Sequence, residues 1–206
     1  RHRHGRRHGD FGPRRREPAV TGEPTGTVIE GVRLFDGTTW HDRTRIRIDG
    51  DRISDTGGTA GRPGDLRLVL DGSCAVPGLV DAHQHLFPGF LHRLPLFGVT
   101  ATVDMFSTPQ LLSTLRHEEK RPVAATFVTA GTGVTVPGGH PCQLAGTGLY
   151  TSFPTLDTSS DIRAFVADRV TEGSQFLKVF VEHGNLAGVS LPHLDGPRLR
   201  ELCRVA

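Results

Sequence analysis

After Pro77 the sequence alternates strand-like and helix-like stretches four times, and no other feature constrains the fold as tightly. Leu79–Leu86, Val99–Phe106, Val123–Ala130 and Phe176–Glu182 read as strands. Between the first two lies Leu91–Phe97, a short helix. A longer helix runs from Thr108-Pro109 to about Lys120, with proline in the first turn, where its missing N–H costs nothing. The Gly-rich loop Gly131–Gly148 follows the third strand. Ser160 is placed to cap a helix whose Ile162, Phe165, Val166 and Val170 share a face, closed by Gly173. Asp195 can cap a last helix with Leu199, Leu202, Cys203 and Ala206 at i, i+3, i+4 and i+7. Four such units in a row predict an α/β fold with a parallel sheet. A closed (β/α)8 barrel of the TIM type takes about 250 residues. Residues 77–206 therefore read as the N-terminal half of one, truncated inside its last helix.

The rhythm before Pro77 is different. Val28, Glu30, Val32 and Leu34 alternate along Thr27–Leu34, and Leu66–Asp71 reads as a further strand. Arg45–Ile48 and Arg52–Ser54 flank Asp49-Gly50, a strong hairpin signal. Residues 25–76 are expected to form a small β-sandwich module. Residues 1–24, rich in Arg, His, Gly and Pro, show no apolar periodicity and are expected to be a disordered basic tail, in which His2, His4 and His8 could capture stray metal. Seven arginines and one aspartate in the first 16 residues give +6, so against +2 for the chain the remainder stands at −4. The basic balance thus belongs to the tail. Counterion release from phosphates could hold such a tail on nucleic acid, but no aromatic platform or base-reading motif accompanies it, which disfavours that partner.

No apolar run is long enough to span a bilayer, and no apolar segment follows the N-terminal arginines, so neither a membrane partner nor a secretory signal is expected. Cys74, Cys142 and Cys203 lie far apart without a CxxC spacing. An odd number so placed argues against a disulfide framework or a zinc ribbon and fits a reducing, cytoplasmic setting.

The stretch Leu70-Asp-Gly-Ser-Cys-Ala-Val-Pro-Gly-Leu-Val-Asp-Ala-His-Gln-His-Leu86 carries the most chemistry. Residues i and i+2 of a strand share a face, so His83 and His85 project together. Neutral imidazoles suit Zn²⁺ and similar ions, and barrel enzymes place their sites at strand ends. A His-x-His alone is weak, because ordinary surface histidines produce it often. The preceding Pro-Gly-Leu-Val-Asp-Ala makes it strong. Asp81 reads as holding local structure, and Asp104 and His183 as capping or surface residues near strand ends.

That stretch resembles the first barrel strand of the amidohydrolase superfamily, whose signature is Pro-Gly-hydrophobic-hydrophobic-Asp-x-His-x-His. Gly98-Val-Thr-Ala-Thr-Val-Asp-Met105 resembles its second strand, Phe176-Leu-Lys-Val-Phe180 its fourth, and residues 25–76 the N-terminal part of its composite domain. The nearest branch is that of imidazolonepropionase-like enzymes and Xaa-Pro dipeptidases.

The resemblance implies a hydrolase of carbon–nitrogen bonds, in an amide, cyclic amide or dipeptide, working through metal-activated water with one or two divalent ions, Zn²⁺ foremost. His83 and His85 would be ligands. Lys178 would be carboxylated by CO₂ and bridge two metals. Its parity with Phe176, Phe180 and Glu182, opposite Leu177, Val179 and Val181, agrees, since burying an unpartnered ammonium costs several kcal/mol; a lysine snorkelling at the strand end is the other reading. His140, in Thr135-Val-Pro-Gly-Gly-His-Pro141, would contact substrate or polarise a carbonyl, and is otherwise an exposed loop histidine. The general-base Asp would lie downstream of Ala206, so no catalytic residue is expected within these residues and the fragment alone should be inactive. A small-molecule amide or peptide is the implied substrate, with a homo-oligomer as the possible assembly. A non-catalytic binding or assembly protein of the same fold, and a nucleic-acid binder acting through its tail, stand as alternatives.

Overall fold

The sheet of the first unit is organised around a hairpin whose two-residue turn is Gly50-Asp51, one position beyond the expected Asp49-Gly50, with Asp49 still paired to Arg52. The computed structural model describes residues 24–58, 60–145, 147, 152–184 and 188–206. The basic tail, all but Pro24, and part of the loop after the third strand lie outside the described residues. The chain divides into two compact units between Pro77 and Gly78.

In the first unit, β1 (Thr27–Phe35), β2 (Trp40–Asp49), β3 (Arg52–Thr56) and β4 (Leu66–Val69) form a sheet in the order β3-β2-β1-β4, and β5 (Cys74–Ala75) also pairs with β1. The β1–β2 and β2–β3 pairs are antiparallel, while β4 and β5 run parallel to β1. Alternation along β1 buries Val28 and Val32 beside Ile46 and Ala60. Among the described residues this is one sheet, and no second layer closes a sandwich. Arg47, on β2, is buried and answered on all sides. Its Nε and Nη2 donate to Asp65 at 2.8 and 3.0 Å, and Nη1 donates to Ser54 Oγ at 3.2 Å and to Asp49.

The second unit holds three parallel strands in the order β6 (Leu79–Gln84), β7 (Val99–Asp104) and β8 (Thr126–Thr129). Between β6 and β7 come α1 (Phe90–Arg93) and a 3-10 turn, Leu94–Phe97. Gly98, at φ 80°, ends that turn in a conformation that side chains resist, and aims the chain into β7. The helix α2 (Pro109–Glu119) is capped by the Thr108 hydroxyl, which accepts from the Leu111 N–H. Leu86, Leu91, Leu112, Leu115, Ala125 and Phe127 form one core between strands and helices.

A second core joins α3 (Ile162–Thr171) and α4 (Gly196–Val205) through Ile162, Phe165 and Leu202, with Val134, Leu156 and Leu194. Three expectations are corrected here. Asp161, not Ser160, caps α3, because the Ser160 hydroxyl is engaged with Asp157. On α3, Val170 is 63% exposed and Arg169 is buried in its place, its guanidinium 4.6 Å from the Phe165 ring and its Nε donating to Glu172 at 2.8 Å. On α4, Cys203 and Ala206 are exposed.

The expected fourth strand, Phe176–Glu182, is an extended segment with a single parallel bridge, Val134 to Val179. The Gln175 N–H donates to Thr129 O, but the next bonds run to Val134, at 2.7 Å from its N–H to Lys178 O and 2.9 Å from the Phe180 N–H to its carbonyl. Ala130–Gly133 interrupt the partner side, so no continuous ladder forms. Leu177 and Val179 do pack on the second core, as their parity requires, while Val181 is half exposed.

Candidate metal centre

The His-x-His pair leaves β6 at its C-terminal end. His83 is exposed and His85 half-buried, with ring centroids 5.7 Å apart. Asp81 accepts from the His83 N–H at 3.0 Å, the local structural role its position suggests. Lys178, on the fourth segment, and His140, in the loop after β8, reach the same place. His83, His85, His140 and Lys178 line one cavity of about 540 Å³ with Phe106 and Phe180.

Aromatic packing shapes this cavity. The Lys178 ammonium lies 4.8 Å from the Phe180 ring centroid, and the His140 ring 5.4 Å from it. Phe180 in turn meets Phe106 edge-on at 5.9 Å. Gly133 permits this approach: a Cβ there would come within 2.4 Å of the Phe180 ring. The Gln143 side-chain nitrogen stands 2.6 Å from His140 Nδ1 and fixes that ring.

The charges are arranged unevenly. Burial pulls the Lys178 ammonium below the ordinary lysine value, and the Asp104 carboxylate partly opposes this. His85 is also lowered, first by burial and then by the Lys178 cation, again against Asp104. Both shifts favour the neutral form, in which imidazole and amine nitrogens can act as donors or nucleophiles.

Asp104 departs from the expectation of a surface residue, for it is fully buried at the strand ends. Its Oδ1 accepts from the Leu86 N–H at 3.3 Å and its Oδ2 from the Thr129 hydroxyl at 2.5 Å, so one carboxylate ties the ends of β6, β7 and β8 together. Phe106, Phe180, Gln143 and Glu182 were likewise missed as parts of the site. An acidic residue at the end of a buried strand was the available signal for Asp104. His183, read as a surface residue, is exposed.

Two imidazoles within reach of one ion, with a lowered lysine beside them, suit a divalent metal in donor type. They are incomplete as a cage, for no group of three His, Cys, Asp or Glu side chains placed to hold an ion occurs among the described residues. A catalytic zinc usually has three protein ligands and a water.

The cavity lies at the C-terminal ends of parallel strands in a mixed α/β fold, and solved structures share that fold. No family model matches the chain. A dihydroorotase of Leifsonia xyli subsp. xyli (strain CTCB07) is 42% identical over 64 residues, 31% of this chain and 14% of that protein. A prolidase complexed with N-methylphosphonate-L-proline matches with a TM-score of 0.68 at 19% identity, over 88% of this chain and 53% of its own. For a Xaa-Pro dipeptidase with methionine bound in its active site the values are 0.58, 21%, 72% and 45%, and for A. niger ochratoxinase 0.64, 16%, 90% and 54%. These structures belong to the amidohydrolase superfamily, and this chain resembles that superfamily in both signature and fold. It spans about half the length of these solved neighbours.

Proposed function

We propose that this chain is the N-terminal segment of a metal-dependent amidohydrolase that cleaves a carbon–nitrogen bond in a small amide, cyclic amide or dipeptide. The observation that carries this reading is the convergence of His83, His85, His140 and Lys178 on one cavity at the strand ends. The neighbours named as prolidase and Xaa-Pro dipeptidase support a substrate of dipeptide type. On this reading residues 78–206 are the first half of a (β/α)8 barrel, and residues 25–76 contribute one layer of a composite sandwich. The unpaired cysteines support a reducing cytosol.

His83 and His85 would hold a divalent ion, and Lys178, once carboxylated on Nζ, would supply an anionic oxygen donor. Zn²⁺ suits the imidazole donors best. The ion, when bound, polarises a carbonyl and acidifies a water. His140, steadied by Gln143, binds the substrate carbonyl. Phe106, Phe180 and Leu144 exclude bulk solvent, and Asp104 biases the basic groups electrostatically while holding the strand ends in register. Two imidazoles and a lysine fall short of a working site, so the 206-residue chain alone should show no turnover.

The test is Lys178→Ala in a protein that carries this segment and is active. Metal content should drop, and turnover should fall by more than the roughly 10–100-fold that loss of an outer-shell partner costs. Short carboxylic acids should restore part of it by standing in for the carbamate. Lys178→Arg should fail as well, because a guanidinium cannot be carboxylated. Unchanged metal content with near-normal turnover in Lys178→Ala would remove the bridging role and leave only His83 and His85.

A further inference from the structure

The geometry points to a second, independent metal site at His183 and His193, which takes a divalent transition ion on imidazole nitrogens. Neither residue borders the cavity of His83 and His85. His183 follows the fourth segment, and His193 stands two residues before the Asp195 cap of α4. Their rings meet edge to face with centroids 3.9 Å apart, and the two Nδ1 atoms are 3.1 Å apart. The Leu191 N–H donates to the His183 carbonyl at 3.0 Å, which draws the two ends of the connecting loop together. His193 Nδ1 also lies 3.3 Å from the Leu191 carbonyl.

Two nitrogens at this separation can share one proton, with one donating and the other accepting. With the two exposed rings turned apart so that both lone pairs converge, they can share an ion instead. Nitrogens held about 2.0–2.1 Å from one metal lie roughly 2.9 Å apart at a right angle and about 3.4 Å apart at the tetrahedral angle. The observed 3.1 Å falls between these limits. Both rings are exposed, so water can complete the coordination. Imidazole donors select Zn²⁺, Ni²⁺ or Cu²⁺ and not Mg²⁺ or Ca²⁺, which require oxygen ligands. A bound ion would fasten the end of the fourth segment to the start of α4. This site does not depend on the function proposed above.

The test uses the full 206-residue chain with His2, His4 and His8 changed to Ala, so that the basic tail does not compete for metal. Zn²⁺ is titrated, and protection of each histidine from diethylpyrocarbonate is read by mass spectrometry. His183 and His193 should become protected together, at one half-saturating concentration, while His117, exposed on α2, stays reactive. His193→Gln should abolish protection of His183 or raise the half-saturating Zn²⁺ at least about tenfold, the least a lost ligand should cost. Mg²⁺ should protect neither. The site is overturned if His183 and His193 remain as reactive as His117 under Zn²⁺, or if His193→Gln leaves protection of His183 unchanged. Because the protection readout needs no substitution at either ligand, it stands even if the variant misfolds.

Discussion

The two units treat buried polarity in opposite ways. In the first, Arg47 is 2% exposed and its guanidinium is met by Asp65, Asp49 and Ser54. In the second, the hydroxyls of Thr102, Ser107, Thr132 and Ser174 are buried without a partner, and Lys178 is half-buried outside any ion pair among the described residues. Open polar capacity near the ends of strands accompanies binding and chemistry. The pairing follows the same division: β1, β2 and β3 are joined by short turns, whereas β6, β7 and β8 are parallel and need crossovers.

The largest effect should come from what both units leave uncovered. Val80 is 64% exposed, Phe97 79% and Ile53 66%, with Leu68, Val69 and Val128 also open. Apolar surface of this extent drives association. Sedimentation of the isolated chain should show dimers or larger species, and a monodisperse monomer with a cooperative melt would contradict this.

Leu115→Ala sharpens the contrast between units. Leu115 is fully buried in the core of the second, so the substitution should cost it about 2–5 kcal/mol. Trp40, the one tryptophan of the chain, lies on β2 and reports the first unit. Thermal melts followed by Trp fluorescence should keep their midpoint while the far-ultraviolet transition of the second unit falls. Equal shifts in both signals would mean that the units do not unfold separately.

Acid should act in the reverse sense. The Arg47 guanidinium, ahead of backbone and hydroxyl donors, holds the Asp65 carboxyl below the ordinary range, and Asp36 and Asp49 of the same unit are lowered too, chiefly by His41 and Ser54. In the second unit the Asp157 carboxyl is lowered by Ser159. A depressed carboxyl stabilises the fold above its unfolded pKa, about 3.9 for Asp, and that contribution is lost as pH falls through the folded value. Titration below pH ~4 should therefore weaken the Trp40-reported transition first. The smallest effect expected is for Asp195→Ala, which removes the acceptor for the Arg198 N–H and should cost α4 about 0.5–2 kcal/mol by circular dichroism.

What could be read from the residues was what a few neighbouring residues decide. The hairpin near Asp49-Gly50, the helix start at Thr108-Pro109 and the cap Asp195 depend on positions within four of each other, and they appear in the structure, the turn one residue later than expected. Even locally, Asp161 displaced Ser160 as a cap once Asp157 competed for the hydroxyl. The fourth strand was apolar and alternating, yet its pairing depended on where a glycine-rich loop would bend, which periodicity does not encode. Arg47 and Asp65 are 18 residues apart, and Asp104 meets partners 18 and 25 residues away, so neither arrangement leaves a trace in spacing. At the site, the His-x-His spacing placed two imidazoles together, and the resemblance pointed to Lys178. The aromatic floor of Phe106 and Phe180 had no signal beyond apolarity.

The three-way tie at Asp104 also bears on how such a protein can diverge. It fastens the strands from within the sheet, through Leu86 and Thr129. The segment around His140 and Gln143 can therefore lengthen, shorten or change composition while the positions of His83 and His85 stay put. Changes in that loop would then leave the strand ends in place, whereas loss of Asp104 would loosen the frame that holds them.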